Sequence, residues 1–168
     1  MAIDDHPLIV KSIVWATEAD TQAFAEALAD KLPIATPPCN TLIQLHGDLG
    51  TGKTTFARHL LKALGVSGRI KSPTYAVVEP YTVEVAATGG MLAIWHFDFY
   101  RFNDPNEWEE AGFRDIFASP GLKLIEWPEK AGQHLPPADL DIHIEILASQ
   151  ARAVVLTAYT FAGSALLP

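Results

Sequence analysis

At 168 residues, 49% of them hydrophobic, the chain has the length of one domain and enough apolar material for a sizeable core, so extended disorder is not expected. Twelve basic against 20 acidic residues leave a net charge of −8, the wrong sign for a protein that holds nucleic acid by neutralising its phosphates. The single cysteine, Cys39, excludes an intramolecular disulfide and a cysteine-rich zinc site, and no apolar run approaches a membrane span; a reducing cytoplasm is the expected compartment.

Met1 to Lys11 carries Asp4 and Asp5 and lacks the basic segment and apolar core of a secretory signal. Leu8 to Trp15 reads as a first strand. Glu18 to Leu32 follows as a helix, with Phe24, Leu28 and Leu32 on one stripe and Thr17 as its N-cap. Pro33 to Asn40 is a proline-rich loop. The β-type run Thr41 to His46 then leads into Gly47 to Thr54, G-D-L-G-T-G-K-T, which matches G-x-x-x-x-G-K-[ST], the P-loop or Walker A pattern. The spacing has a physical reason. Gly47, Gly50 and Gly52 allow positive φ and close approach of backbone amides to polyphosphate, with no Cβ in the way. Lys53 supplies a point charge for the β and γ phosphates, and the Thr54 hydroxyl suits Mg²⁺. Thr55 to Leu64 continues as a helix, with Phe56, Leu60 and Leu64 at four-residue spacing and Gly65 at the C′ position. Strand, glycine loop and helix in this order aim the free amides of a helix N-terminus at the phosphates.

Gly65 to Pro73 reads as a loop. Lys71-Ser72-Pro73-Thr74-Tyr75 occupies the place of a switch segment, where Ser72 and Thr74 hydroxyls can sense the γ-phosphate; Ser-Pro also favours an ordinary turn. Tyr75 to Val78 and Tyr81 to Val85 are β-like, and Ala86 to Gly90 is a hairpin turn feeding Met91 to Phe97. That apolar strand ends on Asp98. A second apolar strand, Leu122 to Ile125, ends on Glu126. A P-loop needs a carboxylate at such a strand end to hold Mg²⁺, and ligands of these sheets sit beyond the carboxyl ends of the strands, so both acids are candidates. His96 shares a face with Asp98 by period-2 alternation and reads as a satisfied structural histidine, and Trp127 reads as core. No metal cluster can be assembled from the histidine spacing, so Mg²⁺ is the only metal expected. Asn103 to Ala118 holds short helical pieces around Trp108, Phe113 and Phe117. Leu140 to Leu147 and Arg152 to Tyr159 close the chain as a hairpin. Few long helices and many strands imply an α/β P-loop NTPase fold, a small single domain over residues 1–168 with a mixed, partly antiparallel sheet flanked by helices.

The G-D-L-G-T-G-K-T-T loop, K-S-P-T-Y at 71–75, H-F-D-F-Y-R at 96–101 and I-E-W-P at 125–128 together resemble the bacterial TsaE (YjeE) family, over roughly Trp15 to Arg152. The resemblance implies an ATPase of tRNA threonylcarbamoyladenosine (t6A) biosynthesis. Such a protein is weak alone and serves the TsaB–TsaD complex, which transfers threonylcarbamoyl to adenosine 37; tRNA is then met only through partners. Carried across by motif, Gly50, Thr51, Gly52, Lys53, Thr54 and Thr55 bind the phosphates of ATP or ADP. Thr54 and Glu126 match the Mg²⁺ ligands, and Asp98 matches the Walker-B-like acid, so Lys53, Asp98 and Glu126 form the catalytic set. Thr17 and Glu18 are candidates for the base, and Arg152 is a weaker candidate.

Two other readings remain open at this stage. A small-molecule kinase would need an arginine-bearing lid, yet only Arg69, Arg101 and Arg114 lie between the P-loop helix and the closing hairpin. A nucleotide-gated assembly factor with little turnover would use the same site residues. A GTPase is disfavoured, because no N-K-x-D motif occurs.

Overall fold

A computed structural model of the protein describes residues 6–35 and 39–168. Asp4, Asp5 and the middle of the proline-rich loop lie outside the described residues. The elements run β1 (Ile9–Trp15), α1 (Glu18–Lys31), β2 (Asn40–His46), α2 (Lys53–Ala63), β3 (Val78–Val85), β4 (Gly90–Asp98), α3 (Glu107–Glu110), α4 (Arg114–Ala118), β5 (Gly121–Glu126), β6 (Leu140–Ile146), β7 (Arg152–Ala158) and α5 (Phe161–Ser164). The strands form one seven-stranded sheet in the order β1-β7-β6-β2-β5-β4-β3. Its middle is parallel: β2 pairs with β5 and β6, and β5 pairs with β4. Both outer regions are antiparallel, β1 with β7 and β7 with β6 on one side, β3 with β4 on the other. The mixed sheet expected from the strand-rich sequence is therefore present.

Alternation decides which side chains reach which layer. Ile43 and Leu45 of β2, Ile94 of β4 and Leu122 and Leu124 of β5 join Phe56, Leu60 and Leu61 of α2 in the larger core. The opposite-facing Leu42, Phe97 and Ile125 meet Trp108, Phe113 and Ala131 in a smaller one. Trp15, Phe24 and Phe56 form an aromatic cluster with centroids 5.4–5.9 Å apart, tying β1 and α1 to the P-loop helix. Burying Phe56 completely is worth roughly 1.5–3 kcal/mol.

The local signals hold at both ends of these helices. Thr17 is the extended N-cap residue of α1, and Asp20 folds back to accept the amides of Ala16 and Thr17 at 2.9 and 3.0 Å. The helix α2 ends with Gly65 N donating to Lys62 O and Val66 N to Leu61 O, both at 3.0 Å, the double bond that a C′ glycine permits.

Two expectations change. The segment Tyr75 to Val77 is turn, not strand: Val77 N donates to Pro73 O at 2.7 Å and Val77 itself has φ of 69°, so the Ser-Pro turn continues until β3 begins at Val78. From there the strand runs unbroken through Pro80, because β3 is an edge strand and an edge tolerates a residue without an N–H. Two elements carry too few residues to show a period in the sequence: the short α5, and a broken 3₁₀ segment over Pro128–His134 interrupted at Gly132. Among the described residues no helix is long and apolar enough to cross a membrane.

Candidate functional site

The loop between β2 and α2 runs beyond the carboxyl ends of the parallel strands. Gly47 has φ of 146°, and a Cβ there would lie 2.5 Å from Ile144 O and 2.7 Å from Thr51 Oγ1, so glycine is obligatory. Gly52 has φ of 107° and caps α2, whose first residue is Lys53. The loop thus delivers its lysine at the helix N-terminus, with free amides beside it.

Lys53 is buried, and its Nζ donates to Gly47 O at 2.6 Å and to Asp48 O at 2.8 Å. The ammonium also stands 4.3 Å from the centroid of the Trp127 ring. Burial pulls the Lys53 pKa down from its ordinary value, while Glu126, Glu129, Asp98 and Asp48 oppose the shift. Thr54 Oγ1 donates to Glu126 Oε1 at 2.7 Å, and His96 Nε2 lies 2.6 Å from the other oxygen, Oε2. Asp98 and Glu126 end β4 and β5 in register with each other. Asp98 accepts from Tyr100 N at 2.9 Å and from Thr74 Oγ1 at 3.2 Å, and Thr74 Oγ1 lies 2.8 Å from Ser72 Oγ. Burial pushes the Asp98 pKa up, and Glu126 adds to the rise; the Tyr100 and Thr74 hydrogen bonds and His96 oppose it.

A cleft of about 320 Å³ opens over this cluster, walled by Gly50, Gly52, Lys53, Thr54, Thr55, Thr74, Asp98, Tyr100, Glu126, Trp127 and Arg152. A second hollow of about 150 Å³ lies across the loop, lined by Trp15, Thr17, Glu18, Thr51, Gly52, Thr55 and Arg152. The fold therefore brings Gly50, Gly52, Lys53, Thr54, Thr55 and both acids together on the cleft, while Thr51 lines the second hollow. Thr74 joins them directly and Ser72 only through Thr74. Glu18 lies in the neighbouring hollow, with its carboxylate 3.0 Å from His59 Nε2 of α2.

Three residues play other parts than expected. Trp127 packs half-buried against the smaller core and does more besides: its φ of 56° turns the chain sharply after Glu126, and the ring also covers Lys53 and stands 5.0 Å from Tyr100. His96 is only half satisfied, since Nε2 meets Glu126 while the buried Nδ1 has no hydrogen-bond partner. Arg152 bridges both hollows and donates from Nε to Thr51 O at 2.9 Å. Period-2 alternation from Asp98 was the available signal for His96; for Arg152 no local signal exists, because antiparallel pairing across the sheet delivers it.

The donors suit one class of metal. Among the described residues no group of three or more His, Cys, Asp or Glu side chains is arranged to hold an ion. Two carboxylates and a hydroxyl are hard oxygen donors, too few for a protein-only cage. That matches Mg²⁺, which takes one or two carboxylates and fills its octahedron with water and phosphate oxygens.

Comparison with known proteins agrees with this geometry. The model of the family "Threonylcarbamoyl adenosine biosynthesis protein TsaE" matches residues 15–154. The tRNA threonylcarbamoyladenosine biosynthesis protein TsaE of Haemophilus influenzae is 44% identical over 122 residues, which is 73% of each chain. The TsaE of Bacillus subtilis is 32% identical over 151 residues, 89% of this chain and 87% of its own. The crystal structure of Bacillus subtilis YdiB superposes with a TM-score of 0.72 at 26% identity, covering 96% of this chain and 94% of that one. A P-loop NTPase fold with a mixed sheet, four sequence motifs in order and a family match over most of its length lead to one conclusion: the chain belongs to the TsaE family, whose members take part in tRNA threonylcarbamoyladenosine biosynthesis.

Proposed function

We propose that this protein binds ATP or ADP with Mg²⁺ in the cleft over the P-loop, hydrolyses ATP slowly on its own, and supports t6A formation by the cytoplasmic TsaB–TsaD complex. The observation that carries the reading is the convergence of Lys53, Thr54, Asp98 and Glu126 on one cleft at the N-terminus of α2. In this reading the amides of Gly50 to Thr55 and the positive end of α2 take the phosphates. Lys53 exchanges the Gly47 and Asp48 carbonyls for phosphate oxygens. Thr54 and Glu126 would hold Mg²⁺, which would supply charge neutralisation to the phosphates, and Asp98 would orient the attacking water. Thr17 and Glu18 face the adenine side, where the neighbouring hollow lies.

An acidic protein fits this pathway if the tRNA is held by the partner. The described cleft also offers few cations for transition-state charge: Lys53 and Arg152 line it, while Arg101 stacks on Tyr75 at 4.1 Å and Arg114 pairs with Glu109. A cation supplied in trans is worth about 10³–10⁵ in rate in related chemistry. The hydrogen bond from Thr74 to Asp98 favours one further element, a nucleotide-dependent docking state read out through Ser72 and Tyr75, the exposed residues of the 72–75 segment. The test is steady-state ATPase of this protein, of TsaB–TsaD, and of all three, each with tRNA. Stimulation confined to the full mixture and lost in Lys53→Ala is the expected result. A fast basal rate indifferent to TsaB–TsaD would overturn it, and a phosphorylated metabolite would restore the kinase reading.

A further inference from the structure

The trio of half-buried Thr54 with buried Glu126 and His96 contains more than a P-loop needs. Glu126 has both oxygens engaged, Oε1 by Thr54 Oγ1 at 2.7 Å and Oε2 by His96 Nε2 at 2.6 Å. The side chains of Glu126 and His96 are 2% and 0% exposed. His96 comes from β4, one strand away, two residues before Asp98 and on the same side of the sheet.

We infer that His96 is a positioning residue for the metal–nucleotide site: it fixes Glu126 in the one orientation that presents Oε1 to Thr54 and so to the ion beside it. The inference rests on the reading of this cleft as a Mg²⁺–nucleotide site. A glutamate has one more rotatable bond than an aspartate, and an unheld carboxylate at this depth could turn away from Thr54. Occupying Oε2 with an imidazole N–H removes that freedom and leaves Oε1 as the only oxygen free to exchange Thr54 for a ligand. Ligating carboxylates are commonly held this way by a second hydrogen bond.

A purely structural role accounts poorly for the arrangement. A buried polar pair is weak as a stabilising device, and well-packed apolar side chains in its place are often as stable or more so. The cost is compounded by His96 Nδ1, which is buried with no hydrogen-bond partner. A residue kept only for packing between β4 and β5 would be better apolar, as Leu122, Leu124 and Ile94 are on the same face. The imidazole is explained by what it does to Glu126.

The experiment is calorimetric titration of ADP into the wild type, His96→Leu and His96→Gln, each with EDTA and with saturating MgCl₂ at one fixed pH. The wild type binds ADP more tightly with Mg²⁺ than without. His96→Leu keeps its EDTA affinity within about twofold but loses about 10- to 100-fold of the Mg²⁺-dependent gain, the usual cost of removing such a support. His96→Gln, whose amide can still donate to Oε2, recovers most of the gain. In the wild type, long-range ¹H–¹⁵N spectra of the imidazole show an exchange-protected Nε2–H that shifts with Mg²⁺–ADP and not with ADP alone; this readout stands even if His96→Leu does not fold. An unchanged Mg²⁺ gain in His96→Leu, an equal loss with and without Mg²⁺, or an Nε2–H indifferent to Mg²⁺–ADP overturns the assignment of His96 alone. A wild type with no Mg²⁺-dependent gain overturns the metal reading of the cleft, and this inference with it.

Discussion

Replacing Lys53 by Met separates the two things this side chain does. In the protein alone, Nζ serves Gly47 O and Asp48 O and stands against Trp127; with nucleotide, the proposal moves it to a phosphate. A unit cation about 4 Å from a unit negative charge is worth about 4 kcal/mol at an effective dielectric constant of 20. The two hydrogen bonds to carbonyls are exchanged for bonds of like kind to phosphate oxygens and nearly cancel, while desolvation of the charges offsets part of the Coulomb gain. A net loss of about 2–3 kcal/mol corresponds to roughly 30- to 150-fold weaker binding. Thermal unfolding reads the loss directly. At a free nucleotide concentration 100 times its Kd the wild type gains about 2.7 kcal/mol, whereas a 100-fold weaker variant at the same concentration gains only about 0.4 kcal/mol. For a chain of this length each kcal/mol moves Tm by about 2–4 °C, so a shift of about 5–10 °C shrinks to about 1 °C. The variant without nucleotide should be no less stable by more than a degree or two, because burial already works against the charged lysine, as its lowered pKa records. A nucleotide-induced shift equal to the wild type's would refute the role given to Lys53.

Asp98→Ala and Glu126→Ala should keep measurable ADP affinity in EDTA and lose roughly 10²-fold or more in partner-stimulated turnover, as expected where fixed electrostatics carry the rate; wild-type turnover in both would contradict the acid assignments. Calorimetry should give distinctly weaker binding of GTP than of ATP, and equal affinities would count against the adenine reading of the hollow beside Glu18. Trp127 emission should change when nucleotide draws Lys53 from the ring, and a Lys53→Met protein should lack the part of that change due to the ammonium. Asp98 gives a pH signature of folding. Burial holds its pKa above the ordinary 3.8, so the native chain keeps this proton better than the unfolded one. This group's contribution therefore destabilises the native state as pH rises from 3.8 through the raised value, and Asp98→Asn removes that slope in denaturant titrations at stepped pH.

How far the sequence alone reaches is decided by distance along the chain. The Walker A loop, its flanking strand and helix, and the Gly65 cap are local, with glycines and periodicity written side by side, and they are legible. Asp98 and Glu126 were found because each ends an apolar strand, which is again a local sign. The imidazole of His96 carries the same sign through alternation, but its partner is 30 residues away and the sequence does not say that β4 and β5 are neighbours. Trp127 reads as core only, because nothing in I-E-W-P announces a left-handed residue after the strand. Arg152 sits 101 residues from its acceptor Thr51, and only the placement of β7 beside β6, which flanks β2, brings it to the loop. Turn geometry without glycine and cross-strand pairing are the two kinds of information that composition and period do not carry.

These contacts share one physical consequence. The side chains proposed to meet nucleotide or ion already have partners in the protein: Lys53 two carbonyls, Thr54 Glu126, and Asp98 Thr74 and Tyr100. For these side chains binding exchanges internal hydrogen bonds for external ones, and the new bonds come from the free amides of the loop and helix N-terminus. Such a site holds together without ligand, which a set of buried and unpaired charges would not. It also couples the phosphate end to Ser72–Tyr75, because a water or ion that claims Asp98 Oδ2 competes with the Thr74 hydroxyl there, Oδ1 being held by Tyr100 N. The segment released in that exchange carries Tyr75, the most exposed of the protein's large aromatic side chains among the described residues, stacked on Arg101. A partner that bound the released form more tightly than the tethered one would favour the nucleotide-loaded site by the same free energy, since the coupling is reciprocal. On the proposed function, slow turnover alone and acceleration by a partner would be two results of one competition for Asp98.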